Sequence, residues 1–399
     1  MQSQLSDLVG ASRLAVEATA GLTDVVESVH HTVARAPGML GGPVRGRTGG
    51  IAGAVYRSIR GATRLVGGAI DTLLRPLAPG AGVERSSPRR DAALAVLNGV
   101  VGDHLAATDN PLAIPMRLRR GGKSLEPDAR DLAAAVPRPR RKLLVLVHGL
   151  CMSDRAWRRR GRDRGAALSR DLGYTPLHLR YNSGQHVSTN GRAFAALLEA
   201  LVEQWPVRVD ELAIVAHSMG GLVSRSACHY GAAAGHRWTR ALRDLVFIGT
   251  PHHGAPLERA GSWLGAALES TAYTAPFGRL GRIRSAGVTD LRFGNLLDED
   301  WQGRDRFEPG RDGRRPVPLP RGVRCHAIAA SRGAKEGALH GAIVGDGLVP
   351  VPSALGRHED PALDLMLPES RRWVARGTGH IELLWRPEVY ARIRAWLAS

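Results

Sequence analysis

The chain has 399 residues, 55 Lys and Arg against 37 Asp and Glu, a formal charge of +18 and a pI near 11.1. Its 43% hydrophobic content fits a large globular core, as one enlarged α/β domain or as two domains. Only 5% of residues are aromatic, no zinc-finger spacing or RNA-recognition motif occurs, and lysine appears only at 123, 142 and 335; the charge reads as the arginine bias of a high-GC genome, with no nucleic-acid partner.

Cys151, Cys228 and Cys325 lie far apart, without metal or redox spacing, so neither a disulfide framework nor a metal is expected. The start, "MQSQLSDLVGASRLAVEA", lacks the basic and apolar regions of a secretory signal, and no run of eighteen apolar residues occurs. The expected location is cytoplasmic, with contact to a membrane or lipid surface as a second reading.

Up to about residue 110 the pattern is helical. Leu22, Val25, Val26, Val29 and Val33 recur at helical spacing, which predicts an amphipathic helix over 4–35 with a break at Gly21. A second helix is predicted from Ile51 to Leu77, with Ile51, Val55, Ile59, Val66, Ile70, Leu73 and Leu77 on one side and Arg57, Arg60, Arg64 and Arg75 on the other. Its glycines suit packing against another helix; a basic amphipathic face also suits a lipid surface, and residues 1–80 carry that second reading. Residues 89–106 read as a third helix, and "IPMRLRRGGKSLEP" as two short strands around a Gly-Gly turn.

From Lys142 onward strands and helices alternate. "KLLVLVH", "TPLHLRYN", "ELAIVAH", "LRDLVFIGTP", "VRCHAIAAS" and "RRWVARG" are strands; helices cover Arg192 to Gln204, Met219 to Ala234 and Pro387 to Leu397. Continuous apolar strands separated by helices predict a doubly wound, mostly parallel α/β sheet, here over residues 111–399. Residues 255–322 interrupt the alternation and read as a lid or cap insertion, helical near 258–270 and a solvated loop over 302–322.

"ELAIVAHSMGGLVSRSA" places Ser218 where a buried strand turns into a helix. Such a turn exposes the serine above the sheet and requires small residues two positions away on either side, here Ala216 and Gly220, Ala216 departing from G-x-S-x-G by one methyl group. A serine needs a base, and the base an orienting acid. Asp346, between two glycines in "IVGDGLVPVPSA", and His380, in "GTGHIELL", follow later strands in that order, with Asp360, Asp364, His340 and His358 as weaker competitors. Two N–H donors are needed for an oxyanion: those of Met219 and of Leu150, in the loop after the first buried strand. Cys151 reads as a packed thiol, and His252 and His253 of "GTPHHGAP" as cleft wall without a metal.

The segments "VHGL", "AHSMGGLVSRSA", "GTPHHGAP", "GDGLVP" and "GTGH" together resemble the α/β-hydrolase superfamily, and within it bacterial lipases, esterases and GPI inositol-deacylase-like lipases. The resemblance covers about residues 140–399. It implies ester hydrolysis through an acyl-enzyme on Ser218, on lipid or other apolar esters, without a cofactor. An acyltransferase or thioesterase with the same triad, and a lipid-surface binder with a vestigial hydrolase domain, are the alternatives.

Overall fold

The structure is a computed structural model that describes residues 2–35, 57, 60–61, 88–159, 161–255, 284–308, 311–333 and 345–399. The predicted helix over 51–77 and the helical stretch near 258–270 lie outside these residues, apart from a few positions.

Eight strands form one sheet: β1 (Arg117–Arg120), β2 (Lys123–Leu125), β3 (Lys142–Val147), β6 (Thr175–Arg180), β7 (Glu211–His217), β8 (Leu242–Ile248), β9 (Arg324–Ser331) and β10 (Arg372–Arg376). A separate two-stranded ribbon joins β4 (Arg158–Arg159) to β5 (Arg162–Asp163). The spatial order of the large sheet is β10-β9-β8-β7-β3-β6-β1-β2. Strands β3 and β6–β10 run parallel; β1 pairs antiparallel with both β6 and β2 at one edge.

The central strands are apolar on both sides because both sides are covered. Side chains alternate along a strand, so Leu143, Val145 and Val147 of β3 enter one core and Leu144 and Leu146 the other. The first core also takes Phe194, Leu198 and Leu201 of one helix and Leu222 and Val223 of a second; the other takes Leu168, Ile393 and Trp396 from the opposite layer. Each such side chain contributes about 1.5–3 kcal/mol by leaving water.

The helices, in chain order, are α1 (Gln2–Arg35), α2 (Pro88–Ala107), α3 (Ala129–Ala135), α4 (Arg164–Leu172), α5 (Val187–Gln204), α6 (Met219–Ala233), α7 (Trp238–Ala241), α8 (Ala286–Asp290), α9 (Val351–Ala354) and α10 (Pro387–Ala398). Three expectations change. First, α1 runs without interruption through Gly21, since one glycine weakens a helix by only about 1 kcal/mol. Second, α4 was not foreseen, although its signals are local: Asp163 Oδ1 accepts the Ala166 N–H at 2.9 Å, and Gly173 ends the helix with φ 78°. Third, the irregular segment 302–322 is partly buried: Val317 joins the core, and Arg314 donates to the His252 carbonyl oxygen at 2.7 Å. No helix among the described residues is long and apolar enough to cross a membrane.

Helix α2 packs directly on the loops at the carboxyl edge of the sheet. A methyl group at Gly99 would collide with Cys151 Sγ, and one at Gly102 with Asn182 Oδ1. Its amino-terminal turn is held by charge. The buried Asp91 takes Arg155 Nε at 2.7 Å and lies 3.4 Å from Arg180 and 3.6 Å from Arg119; Arg119 in turn binds Asp154 at 2.8 Å.

Candidate active site

Strand β7 ends at His217 and α6 begins at Met219, so Ser218 makes the whole turn. Its φ of 54° and ψ of −128° lie in a region that side-chain-bearing residues seldom occupy. The conformation persists because both flanks are tied: the Ser218 N–H donates to the Ile248 carbonyl oxygen at 2.8 Å, and its own carbonyl oxygen accepts from the Gly221 N–H at 2.9 Å. The small neighbours are needed. A methyl group at Gly220 would lie 2.5 Å from the His148 carbonyl oxygen, while Ala216, fully buried, pairs in register with Val147 and Phe247.

Asp346 sits between Gly345 (φ 55°) and Gly347 (φ 98°), two left-handed positions that fold the chain back around its carboxylate. Oδ1 accepts the N–H groups of Leu348 at 2.9 Å and Val349 at 2.8 Å; Oδ2 meets His380 Nδ1 at 2.6 Å. Both oxygens of this buried carboxylate are thus engaged. His380 stands in the turn after β10, where the Thr378 N–H donates to the Ser331 carbonyl oxygen at 3.0 Å and Gly379 N–H to Glu382 Oε2 at 2.9 Å.

Ser218 and His380 line one cavity of about 300 Å³. Its other walls are almost wholly apolar, including Leu150, Met152, Pro251, Val288, Leu291 and Leu348. Three parts of the chain far apart in sequence therefore converge: the elbow, the histidine turn and the Asp346 loop behind it. The competitors lie elsewhere. Asp364 accepts the N–H groups of His358 and Met366, and Asp360 that of Ala362, which makes them turn caps; the His358 ring faces His253 at 4.8 Å. His340 lies outside the described residues.

The loop after β3 brings Leu150 to the cavity beside Ser218. Among the described residues the N–H groups of Leu150 and Met219 have no acceptor within the protein. The loop is pinned on each side: Tyr181 donates its hydroxyl to the His148 carbonyl oxygen at 2.8 Å, and the Cys151 N–H reaches Ser183 Oγ at 3.1 Å. Close approach is again a requirement, since a methyl group at Gly149 would come 2.9 Å from Ser218 Cβ. Burial pushes the Cys151 thiol pKa up, which leaves it protonated and poorly nucleophilic. Burial also lowers His148 to about 4, so its ring is neutral near pH 7.

His252 and His253 stand behind Pro251, which lines the cavity. Their Nδ1 atoms meet Arg225 Nη1 at 3.3 Å and Arg314 Nη2 at 2.9 Å, and burial followed by these guanidinium charges lowers both histidines, His253 to about 3. They support the wall. Among the described residues no group of three or more His, Cys, Asp or Glu side chains is placed to hold a metal ion. Three contributors escaped the sequence reading: His217, buried beneath His380; Gly249, whose φ of 59° follows β8; and the cavity wall from Val288 and Leu291. The first two sit inside the quoted motifs, where position relative to Ser218 and the strand end was an available signal.

Comparison with known proteins adds the following. A family model described as a domain of unknown function (DUF7379) matches residues 121–268. No curated protein matches the chain. Solved structures similar to it include lipase BlEst2 of Bacillus licheniformis in mature form (18% identity, TM-score 0.42, covering 64% of this chain and 91% of that one). Others are the Pyrobaculum calidifontis esterase (15% identity, TM-score 0.38, 78% and 94%) and phospholipase PlaB from Legionella pneumophila (16% identity, TM-score 0.33, 53% and 45%). The chain thus spans less than half of PlaB, and 51% of the propeptide form of BlEst2.

Proposed function

We propose that the protein is a serine carboxylester hydrolase of the α/β-hydrolase type, acting on lipid or other apolar esters. The observation that carries this reading is the joint geometry of Ser218, in a strained turn on the wall of an apolar cavity, and His380, on the same wall with its Nδ1 held by the buried Asp346.

In this reading the ester carbonyl lies against Ser218 with its hydrocarbon in the apolar cavity. Because Nδ1 donates to Asp346, Nε2 of the neutral His380 ring is the basic nitrogen, and it takes the proton of Ser218 as Oγ attacks. The C–O π pair moves to oxygen, where the N–H groups of Leu150 and Met219 bind the charge. Asp346 stabilises the imidazolium and keeps the tautomer. Collapse breaks the bond to the alcohol oxygen, which leaves with the proton from His380. Water, deprotonated by the same nitrogen, then cleaves the acyl-enzyme and frees Ser218. Residues 111–399 form the catalytic unit in this reading, with α2 docked on its carboxyl edge; contact with a lipid surface through residues 1–80 is a secondary proposal, tested by flotation with liposomes.

The decisive test is hydrolysis of p-nitrophenyl esters of increasing acyl length by the wild type and by Ser218→Ala, with fluorophosphonate labelling in parallel. Loss of both in the variant supports the reading. A wild type that neither turns over any ester nor labels at Ser218 overturns it. An added alcohol that competes with water for the acyl group would shift the assignment from hydrolase to transferase.

A further inference from the structure

We infer that His217 is a positioning residue that couples the nucleophile turn to the loop carrying the base, an inference that rests on the roles proposed above for Ser218, Asp346 and His380. His217 is fully buried at the end of β7, directly before Ser218. Its Nε2 lies 3.2 Å from the carbonyl oxygen of His380, and the two rings are tilted at 48° with centroids 4.8 Å apart. A carbonyl oxygen only accepts, so Nε2 carries the proton and donates.

The other edge of the ring faces a third component. Nδ1 has no hydrogen-bond partner among the described residues, and a methyl group at Gly149 would lie 3.2 Å from it. One imidazole thus joins the chain of the nucleophile by covalent connection, the backbone of the base by a hydrogen bond, and the loop presenting the Leu150 N–H by direct packing. The bond is to the backbone of His380, so Nδ1 keeps Asp346 and Nε2 keeps the proton-taking role proposed above. Moving the His380 backbone by a fraction of an ångström would move Nε2 relative to Oγ, so the bond acts on the distance the chemistry depends on.

The ring can hold this place without electrical cost to the reaction. Burial, followed by the nearness of His380 and His148, depresses its pKa well below the ordinary histidine value. It is neutral at working pH and sets no second positive charge against the imidazolium formed at His380. Phenylalanine at 217 would fill the same space without the donor. Glutamine would carry an N–H to about the place of Nε2.

The test uses the full chain with His217→Phe and His217→Gln, measuring kcat, KM, the rate of fluorophosphonate labelling and the thermal midpoint. Misplacement of the base predicts a fall in kcat and labelling of roughly 10- to 100-fold for His217→Phe, with KM within about twofold. His217→Gln is expected to recover most of that loss although it fits the space less well, so that activity and thermal midpoint part company. Wild-type kcat in His217→Phe overturns the inference, as does equal loss in both variants in step with their melting temperatures. Either result leaves the triad standing if wild type labels and Ser218→Ala does not; an active Ser218→Ala removes both the triad and the role of His217.

Discussion

Gly249 lies against the ring of His380: a methyl group in its place would stand 3.1 Å from Cε1 and 3.2 Å from Nδ1. The residue also has φ 59° and donates its N–H to the Ile328 carbonyl oxygen at 2.7 Å, so the backbone has no freedom to turn away. Gly249→Ala is expected to lower stability by about 1–2 kcal/mol from the left-handed backbone alone. It is also expected to lower kcat roughly tenfold or more as the ring shifts. Comparing kcat with the unfolding midpoint checks both; an unchanged kcat would show that the ring has room to yield.

Asp346 offers a cleaner separation of chemistry from folding. In Asp346→Asn the amide oxygen can keep the Leu348 and Val349 N–H groups, which turns the NH₂ toward His380 Nδ1 and forces the opposite tautomer. Activity is then expected to fall by roughly 10³- to 10⁴-fold with little change in melting temperature. A loss of only a few-fold would deny the carboxylate its orienting role.

Acid should weaken the fold through His148. Its pKa is near 4 in the folded chain, from burial first, against an ordinary 6.5. Between these values the unfolded chain binds more protons, so unfolding free energy rises with pH there. The contribution is complete above pH 6.5, declines as the pH falls toward 4, and amounts to about 3 kcal/mol. His253, at about 3, acts with the same sign. Denaturant unfolding between pH 4 and 7 should show this slope, and His148→Phe, which can keep the stacking on Tyr181, should flatten it.

The cavity wall predicts acyl-chain selectivity. Leu291→Trp fills space along the apolar wall, and each methylene denied burial is worth about 0.8 kcal/mol, or about fourfold in kcat/KM. The optimum in the ester series is expected to move to shorter chains while the shortest esters react as before. A uniform decline across the series would place Leu291 outside the acyl path.

Asp91 tests the attachment of α2. Removing it leaves Arg155 without its carboxylate at 2.7 Å and Arg180 and Arg119 with one fewer counter-charge in a buried setting. Asp91→Ala is expected to cost about 3–5 kcal/mol and to open residues 88–107 to limited proteolysis. Wild-type stability would mean that the helix is held by its other contacts, among them those of Gly99, Gly102, Asn98 and Asp103.

Much of the candidate site was legible locally. Apolar runs such as Leu143–Val147 declare strands buried on both sides because only a covered sheet tolerates them, and the order of strand, serine, Gly-Gly and helix declares the elbow because few residues survive that turn. Asp346 and His380 stood out for a related reason, each beside glycine directly after a strand region. What the sequence by itself determined was the set of conformations short stretches accept. The tertiary structure decided which stretches meet. No periodicity indicates that Gly99 touches Cys151, that Asp91 gathers three arginines from β1, β6 and the loop after β3, or that His217 binds the carbonyl of a residue 163 positions later. Those pairings depend on strand order and packing distance, which are set only when the two layers close over both faces of the sheet.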